Sequence, residues 1–293
     1  MHPTLSYFSQ HGSISNPGAF AHLYNDLPAS IADLVKLVQG VTIHVFWTES
    51  YGFKPPLNRM DELQLRTMET RLGRSLELDA RPLTEPRHPE YKLIGNCRDH
   101  SLLLVSMLRH QGIPARARCG FAAYFMPDHF EDHWVVEYWN VEQSRWVLVD
   151  AQLDALQQDA LKIKFDTLDV PRDQFIVGGK AWQMCRSGEQ DADKFGIFDM
   201  KGLGFVRGNL IRDVASLNKM ELLPWDCWGV ILAETLDDPA DLAALDEVAS
   251  LAAVDVPDFE TLRTLYETDS RLHVNRSLLS YVDGKMVEVT VAG

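Results

Sequence analysis

The chain has 293 residues, 46% of them hydrophobic, and 28 Lys and Arg against 42 Asp and Glu leave a formal charge of −14 at pH 7. That length and composition describe a globular protein of one large or two modest domains, neither disordered nor fibrous. A pI near 5.1 disfavours nucleic acid and anionic lipid as partners. No run approaches the about eighteen apolar residues of a membrane span, and MHPTLSYFSQ lacks the basic and apolar regions of a secretory leader, so a cytoplasmic location is expected.

Residues 28–39 place Ile31, Leu34, Val35 and Val38 at helical spacing, with Gly40 as the stop. VTIHVFW at 41–47 reads as a strand. A second amphipathic helix is expected over about 60–76, with Leu65, Met68, Leu72 and Leu76 as its stripe and Arg71 and Arg74 late, as the helix dipole prefers. Pro82, Pro86 and Pro89 then stiffen a loop that leads to GNC at 95–97. Residues 97–110 are apolar on nearly every face, the pattern of a helix buried inside a domain, and Gly112 and Pro114 end it. ARARCGFAAYF, HWVVEYW and RWVLVD predict three strands, separated by a loop at 126–132 and a turn at 140–144. Beyond Pro171 the pattern is mostly helical, with Gly178-Gly179 a seam, Asp238-Pro239 a helix start and Asp283-Gly284 the turn of a last hairpin. The acid-rich stretch 234–260, which has no Lys or Arg, reads as a solvated face. The expected organisation is a core over 1–178 and a mostly helical extension over 179–293.

The four cysteines, Cys97, Cys119, Cys185 and Cys227, have no paired spacing, which argues against a zinc ribbon or a disulfide framework. Three sit where a small buried side chain is the ordinary reading. Cys97 differs: Asn96 suits an N-cap, which puts the thiol in the first turn of the buried helix. Backbone N–H groups and the positive dipole end favour a thiolate there and could also hold a developing oxyanion.

A thiolate nucleophile needs a base, and the base needs an acceptor that orients it. The hairpin downstream can supply both. With Asn140–Gln143 as the turn, Trp139 faces Ser144, Glu137 faces Trp146, Val135 faces Leu148, and His133 lies directly opposite Asp150. Cross-strand Cβ atoms in such a pair are about 4.5–5.5 Å apart, and a slip of one residue would put the two side chains on opposite faces.

GNC opening a long apolar helix, LRHQGIPAR at its end, HWVVE at 133–137 and WVLVD at 146–150 together resemble the transglutaminase-like branch of the papain-like cysteine enzymes, which includes bacterial cysteine proteases. The motifs span Gly95 to Asp150, about a fifth of the chain, in the family's order of Cys, His, Asp. The resemblance implies an α+β papain-like core, its cysteine-bearing helix packed on an antiparallel sheet. It also implies Cys97 as nucleophile, His133 as base and later acid, and Asp150 as orienting carboxylate. Two departures stand out: Trp134 follows the histidine directly where the family usually reads H-x-W-x-E, and Ala151-Gln152 follow Asp150 where a proline is common. No sequence feature matches the family's calcium sites, and no cofactor is expected.

Other residues compete for these roles. DHFEDH at 128–133 gathers Asp128, His129, Asp132 and His133, a set that zinc or manganese would accept, although a loop does not hold His129 and His133 on one helical face. His129 could replace His133 as base but has no carboxylate opposite it. Asp154 could replace Asp150 but lies past the strand end. His100, one helical turn after Cys97, reads as a satisfied buried or substrate-side group, and Asp99 is explained by the helix dipole. Trp134, Trp139 and Trp146 read as core, and Trp47 is an unsupported candidate for an oxyanion donor. Gly178-Gly179-Lys180 lacks the rest of a phosphate loop. The expected activity is acyl transfer on a peptide, protein or small amide substrate, by hydrolysis or transamidation. The alternatives are a non-catalytic peptide- or protein-binding module on the same fold, or a metal site at His129 and His133.

Overall fold

The computed structural model describes residues 2–254 and 258–291, and the architecture is α+β, as expected. In chain order the elements are α1 (Pro3–Phe8), α2 (Ile31–Val41), β1 (Thr42–His44), α3 (Met68–Leu78), β2 (Leu93–Gly95), α4 (Cys97–His110), β3 (Ala115–Ala122), β4 (Phe130–Asn140), β5 (Arg145–Val149) and α5 (Ala155–Leu161). They continue as β6 (Phe175–Val177), α6 (Gly178–Ser187), β7 (Phe195–Ile197), β8 (Met200–Lys201), α7 (Leu203–Leu217), β9 (Asp226–Cys227), α8 (Pro239–Ala252), α9 (Phe259–Thr268), β10 (Ser277–Val282) and β11 (Lys285–Thr290). Among the described residues no helix is long and apolar enough to cross a membrane. The chain divides into two compact units, Met1–Ala117 with Val135–Val170, and Arg118–Trp134 with Pro171–Gly293.

In the first unit, β1 pairs in parallel with β2, Thr42 opposite Leu93 and His44 opposite Gly95. A parallel pair needs a crossover connection, and the segment containing α3 provides it. The strand expected over 41–47 stops at His44, whose Nδ1 accepts from the Phe46 N–H at 3.2 Å and turns the chain into a 3-10 segment, Val45–Tyr51. Gly40 does not end α2, which runs to Val41; a Cβ at Gly40 would lie 3.4 Å from the Pro86 backbone. The expected helix over 60–76 divides into a 3-10 segment, Leu57–Gln64, and α3, which starts at Met68 because Thr67 caps it through the Thr70 N–H. Met68, Arg71, Leu72 and Ser75 are its buried residues, so Arg71 faces inward and does not serve the helix C-terminus.

The β4–β5 hairpin forms in a register two residues from the expected one. Trp139 lies opposite Trp146, Glu137 opposite Leu148 and Asn140 opposite Arg145. The Asn140 Oδ1 accepts from both the Glu142 and Gln143 N–H groups at 3.1 Å, and Ser144 takes φ +51°. That local turn moves the four-residue loop one position along the chain, to Val141–Ser144, so that Asn140 and Arg145 close it. A shift of two residues keeps every side chain on its face, but the partners change: the ladder ends at Val136 opposite Val149 and does not pair His133 with Asp150 as expected. Arg116 donates from Nε to Glu137 Oε2 at 2.6 Å with both side chains fully buried, and its guanidinium lies 4.1 Å from the Trp146 ring centroid.

In the second unit, β3 pairs antiparallel with β6, Gly120 opposite Val177, while the first residues of β4 pair in parallel with β7, Phe130 opposite Phe195. This sheet is therefore mixed, not wholly antiparallel. Arg118 makes a bidentate pair with Asp213 of α7 (2.9 and 2.8 Å) and also donates to the Ala252 carbonyl at 2.8 Å. Gly178 and Gly179 open α6 at close approaches: an added Cβ would lie 2.8 Å from the Asn209 carbonyl oxygen and 2.7 Å from the Ala253 nitrogen, respectively. Asp238 caps α8 with Pro239 in its first turn. Asp283 (φ +49°) and Gly284 (φ +79°) form the two-residue turn between β10 and β11. The acid-rich stretch is not wholly solvated, since Asp246 accepts from Trp182 Nε1 at 2.7 Å and pairs with Arg186 at 3.1 Å; its residues 255–257 lie outside those described.

Candidate active site

Cys97 is the first residue of α4 and 8% exposed. The turn that carries it is held by a capping box: Asn96 Oδ1 accepts from the Asp99 N–H at 3.2 Å and Asp99 Oδ2 accepts from the Asn96 N–H at 3.0 Å. Asp99 does more than answer the dipole. Its carboxylate also pairs with Arg71 at 3.2 Å and Arg98 at 3.0 Å, with all three side chains at most 2% exposed. A second carboxylate fixes the chain just upstream. Glu62 accepts from the Ile94 N–H at 2.9 Å while pairing with Arg59 at 2.8 Å and Arg74 at 3.1 Å. The thiol thus sits on a backbone pinned from both sides by buried ion pairs, next to an excess of guanidinium charge.

His100 is buried, and its Nδ1 donates to the Asn96 carbonyl at 2.8 Å. Burial lowers its pKa to about 4, so the ring is a neutral tether for the capping residue. Asp150 is fully buried just after β5; its N–H donates to the Thr167 carbonyl at 2.9 Å and its Oδ1 accepts from the Gln152 N–H at 3.0 Å. Asp154, its alternative, caps α5 through the Gln157 N–H at 3.1 Å and accepts from the Tyr51 hydroxyl at 2.7 Å. That is a structural use. Trp47 lies in the 3-10 segment Val45–Tyr51, partly buried. These residues all belong to the first unit.

His133 lies in the second unit on β4, 2% exposed. Aromatic rings surround it, with centroids at 4.9 Å for Phe125, 5.9 Å for Tyr124 and 6.3 Å for Phe175. Its neighbours in DHFEDH point to other uses. Asp128 pairs with Lys194 at 2.6 Å, and Asp132 Oδ1 accepts from Asn209 Nδ2 at 2.7 Å. Among the described residues no three His, Cys, Asp or Glu side chains gather as a metal site would need.

Of the other cysteines, Cys119 is buried in β3, and Cys185 and Cys227 are partly buried in α6 and β9; none of the four is in a disulfide. Burial, then the nearby Asp191, raises the Cys185 thiol to about 11. The sequence reading missed the buried Arg–acid lattice. Its signal was present: arginines alternating with small residues in ARARC, and Arg71 on a buried helix stripe, are cations that must meet carboxylates inside.

The family model for the transglutaminase-like superfamily matches residues 63–151. The match covers less than a third of the chain. The superfamily includes cysteine proteases and transglutaminases, and the matched segment holds Cys97, His133 and Asp150. Glu137, four residues after His133, is the buried partner of Arg116. No curated protein matches the chain. A solved structure, "Putative Cysteine Protease from Cytophaga hutchinsonii", is similar at 14% identity with a TM-score of 0.34, over 60% of this chain and 46% of that one. The chain thus spans less than half of that protein, a likeness too distant to transfer any of its chemistry.

Proposed function

We propose that the protein is a cysteine-dependent acyl transferase or hydrolase acting on amide bonds, with Cys97 as nucleophile, His133 as base and Asp150 as the carboxylate that orients it. The observation that carries the reading is the position of Cys97: the first residue of a buried helix, behind a complete capping box, inside a transglutaminase-like domain. N–H groups of that first turn and the dipole end favour negative charge on sulfur and on a substrate oxygen.

In the proposed reaction the Cys97 thiolate attacks the amide carbonyl carbon and the C=O electron pair moves to oxygen. As the C–N bond breaks, the His133 imidazolium gives its proton to the departing amine, leaving a thioester. Water or a second amine then attacks the thioester, His133 takes the incoming proton, and the C–S bond breaks to return the thiolate. Peptides, proteins or small amides fit as substrates, and the net charge of −14 favours neutral or cationic ones. Carboxamidomethylation by iodoacetamide near neutral pH, mapped by peptide mass spectrometry, tests the assignment. Cys97 is expected to label ahead of Cys119, Cys185 and Cys227. Equal labelling, or none at Cys97, would overturn it and leave a non-catalytic binding module.

A further inference from the structure

Two glutamines lie within seven residues of Asp150, both almost fully buried: Gln152 at 3% and Gln157 at 2% exposure. Burying an amide is costly unless its donors and acceptors are met. Here all but one are met, through a small network. Gln152 Nε2 donates to Gln157 Oε1 at 3.1 Å, and Gln157 Nε2 donates to the Tyr51 hydroxyl oxygen at 3.2 Å. The Tyr51 hydroxyl donates to Asp154 Oδ2 at 2.7 Å, and Asp154 Oδ1 accepts from the Gln157 N–H at 3.1 Å. A ring closes through Gln157, Tyr51 and Asp154, the Gln152 side chain hangs from it, and the Gln152 N–H is the donor to Asp150 Oδ1 at 3.0 Å. Gln152 Oε1 is buried with no hydrogen-bond partner among the described residues, so its amide is held by Nε2 alone. The ring is therefore only as rigid as the group that terminates it.

We propose that Tyr51 is a positioning residue for the Asp150 carboxylate, acting through Gln157 and Gln152. The inference rests on the assignment of Asp150 made above. Tyr51 comes from the end of the 3-10 segment Val45–Tyr51, about a hundred residues away in sequence, and the Lys92 ammonium lies 5.7 Å from its ring centroid while donating to the Gln39 carbonyl at 2.7 Å. The hydroxyl has two jobs at once: it is the acceptor for Gln157 Nε2 and the donor to Asp154. Burial and the hydrogen bond to Asp154 raise its pKa, which favours the protonated hydroxyl as the donor. Without it, Gln157 Nε2 joins Gln152 Oε1 as an unmet buried group, and the turn that presents the Gln152 N–H to Asp150 loosens.

The test compares wild type with Tyr51→Phe, which removes one oxygen and little volume, and with Gln157→Leu, which opens the ring at another link. The readout is the pH profile of Cys97 carboxamidomethylation, with a thermal melt in parallel. A loosened Asp150 steadies the imidazolium less and the thiolate forms at higher pH. Both variants are expected to move the midpoint upward and to slow labelling at pH 6 several-fold, and the double variant to do no more than either alone, because both break one ring. A purely structural role would lower the melt and leave the midpoint in place. Wild-type profiles in whichever of the two variants folds would overturn the inference; unselective labelling in the wild-type protein would instead overturn the assignment on which it rests.

Discussion

Asp99→Asn is the sharpest probe of how α4 is held. The carboxylate accepts from the Asn96 N–H at 3.0 Å and pairs with Arg71 at 3.2 Å and Arg98 at 3.0 Å, where the arginines are 2% and 0% exposed. Asparagine has nearly the same shape and can still take the Asn96 N–H, so the cap, worth about 1 kcal/mol, survives in part. What it removes is the charge. Arg98 loses that ion pair while still donating to the Arg66 carbonyl, and Arg71 still donates to the Glu62 and Ile94 carbonyls at 3.3 and 3.4 Å. Breaking a buried pair from one side costs about 3–5 kcal/mol, a large part of the roughly 5–15 kcal/mol that holds a domain folded. At about 2–4 °C per kcal/mol, the melting temperature is expected to fall by roughly 6–20 °C in circular dichroism. Asp99→Asn with Arg98→Met should recover at least half of that loss, because an apolar side chain removes a buried cation that has lost its carboxylate. A single variant within about 2 °C of wild type, or a double variant whose losses simply add, would refute the ion-pair account of this helix end.

His100 makes a pH prediction with a definite sign. Its folded pKa is about 4, against about 6.5 unfolded, so its contribution is fully present above pH 6.5 and is lost as the pH falls towards 4, when the unfolded chain binds a proton that the fold excludes. The difference is roughly 3 kcal/mol. His100→Gln should therefore lose less stability than wild type between pH 7 and pH 4 in urea titrations, and parallel losses would refute the assignment. Gly179→Ala places a methyl group 2.7 Å from the Ala253 nitrogen and is expected to cost about 1–3 kcal/mol in urea unfolding, whereas an unchanged midpoint would show that the helices can part there freely. The labelling of Cys97 and the Tyr51→Phe profile stand beside these as tests of the chemistry.

The sequence by itself determined the long elements and the position of the thiol. Continuous apolarity fixed α4 over Cys97–His110, Asn96 fixed its start, Asp238-Pro239 the start of α8, and Asp283-Gly284 the last turn, because each depends on residues within one helical turn or one loop. Local signals also misled where a nearby side chain outcompeted periodicity. His44 ended β1, Thr67 delayed α3, and Asn140 shifted the β4–β5 hairpin by two residues. Tertiary structure alone decided which acid meets which buried arginine. Arg71 with Asp99, Arg116 with Glu137 and Arg118 with Asp213 are 28, 21 and 95 positions apart, and no rule of spacing pairs charges across such distances. The same holds for Tyr51 and Asp154, 103 positions apart. A chain can announce that a cation will be buried, but its partner is chosen by where the backbone brings the second charge, and only the completed fold sets that.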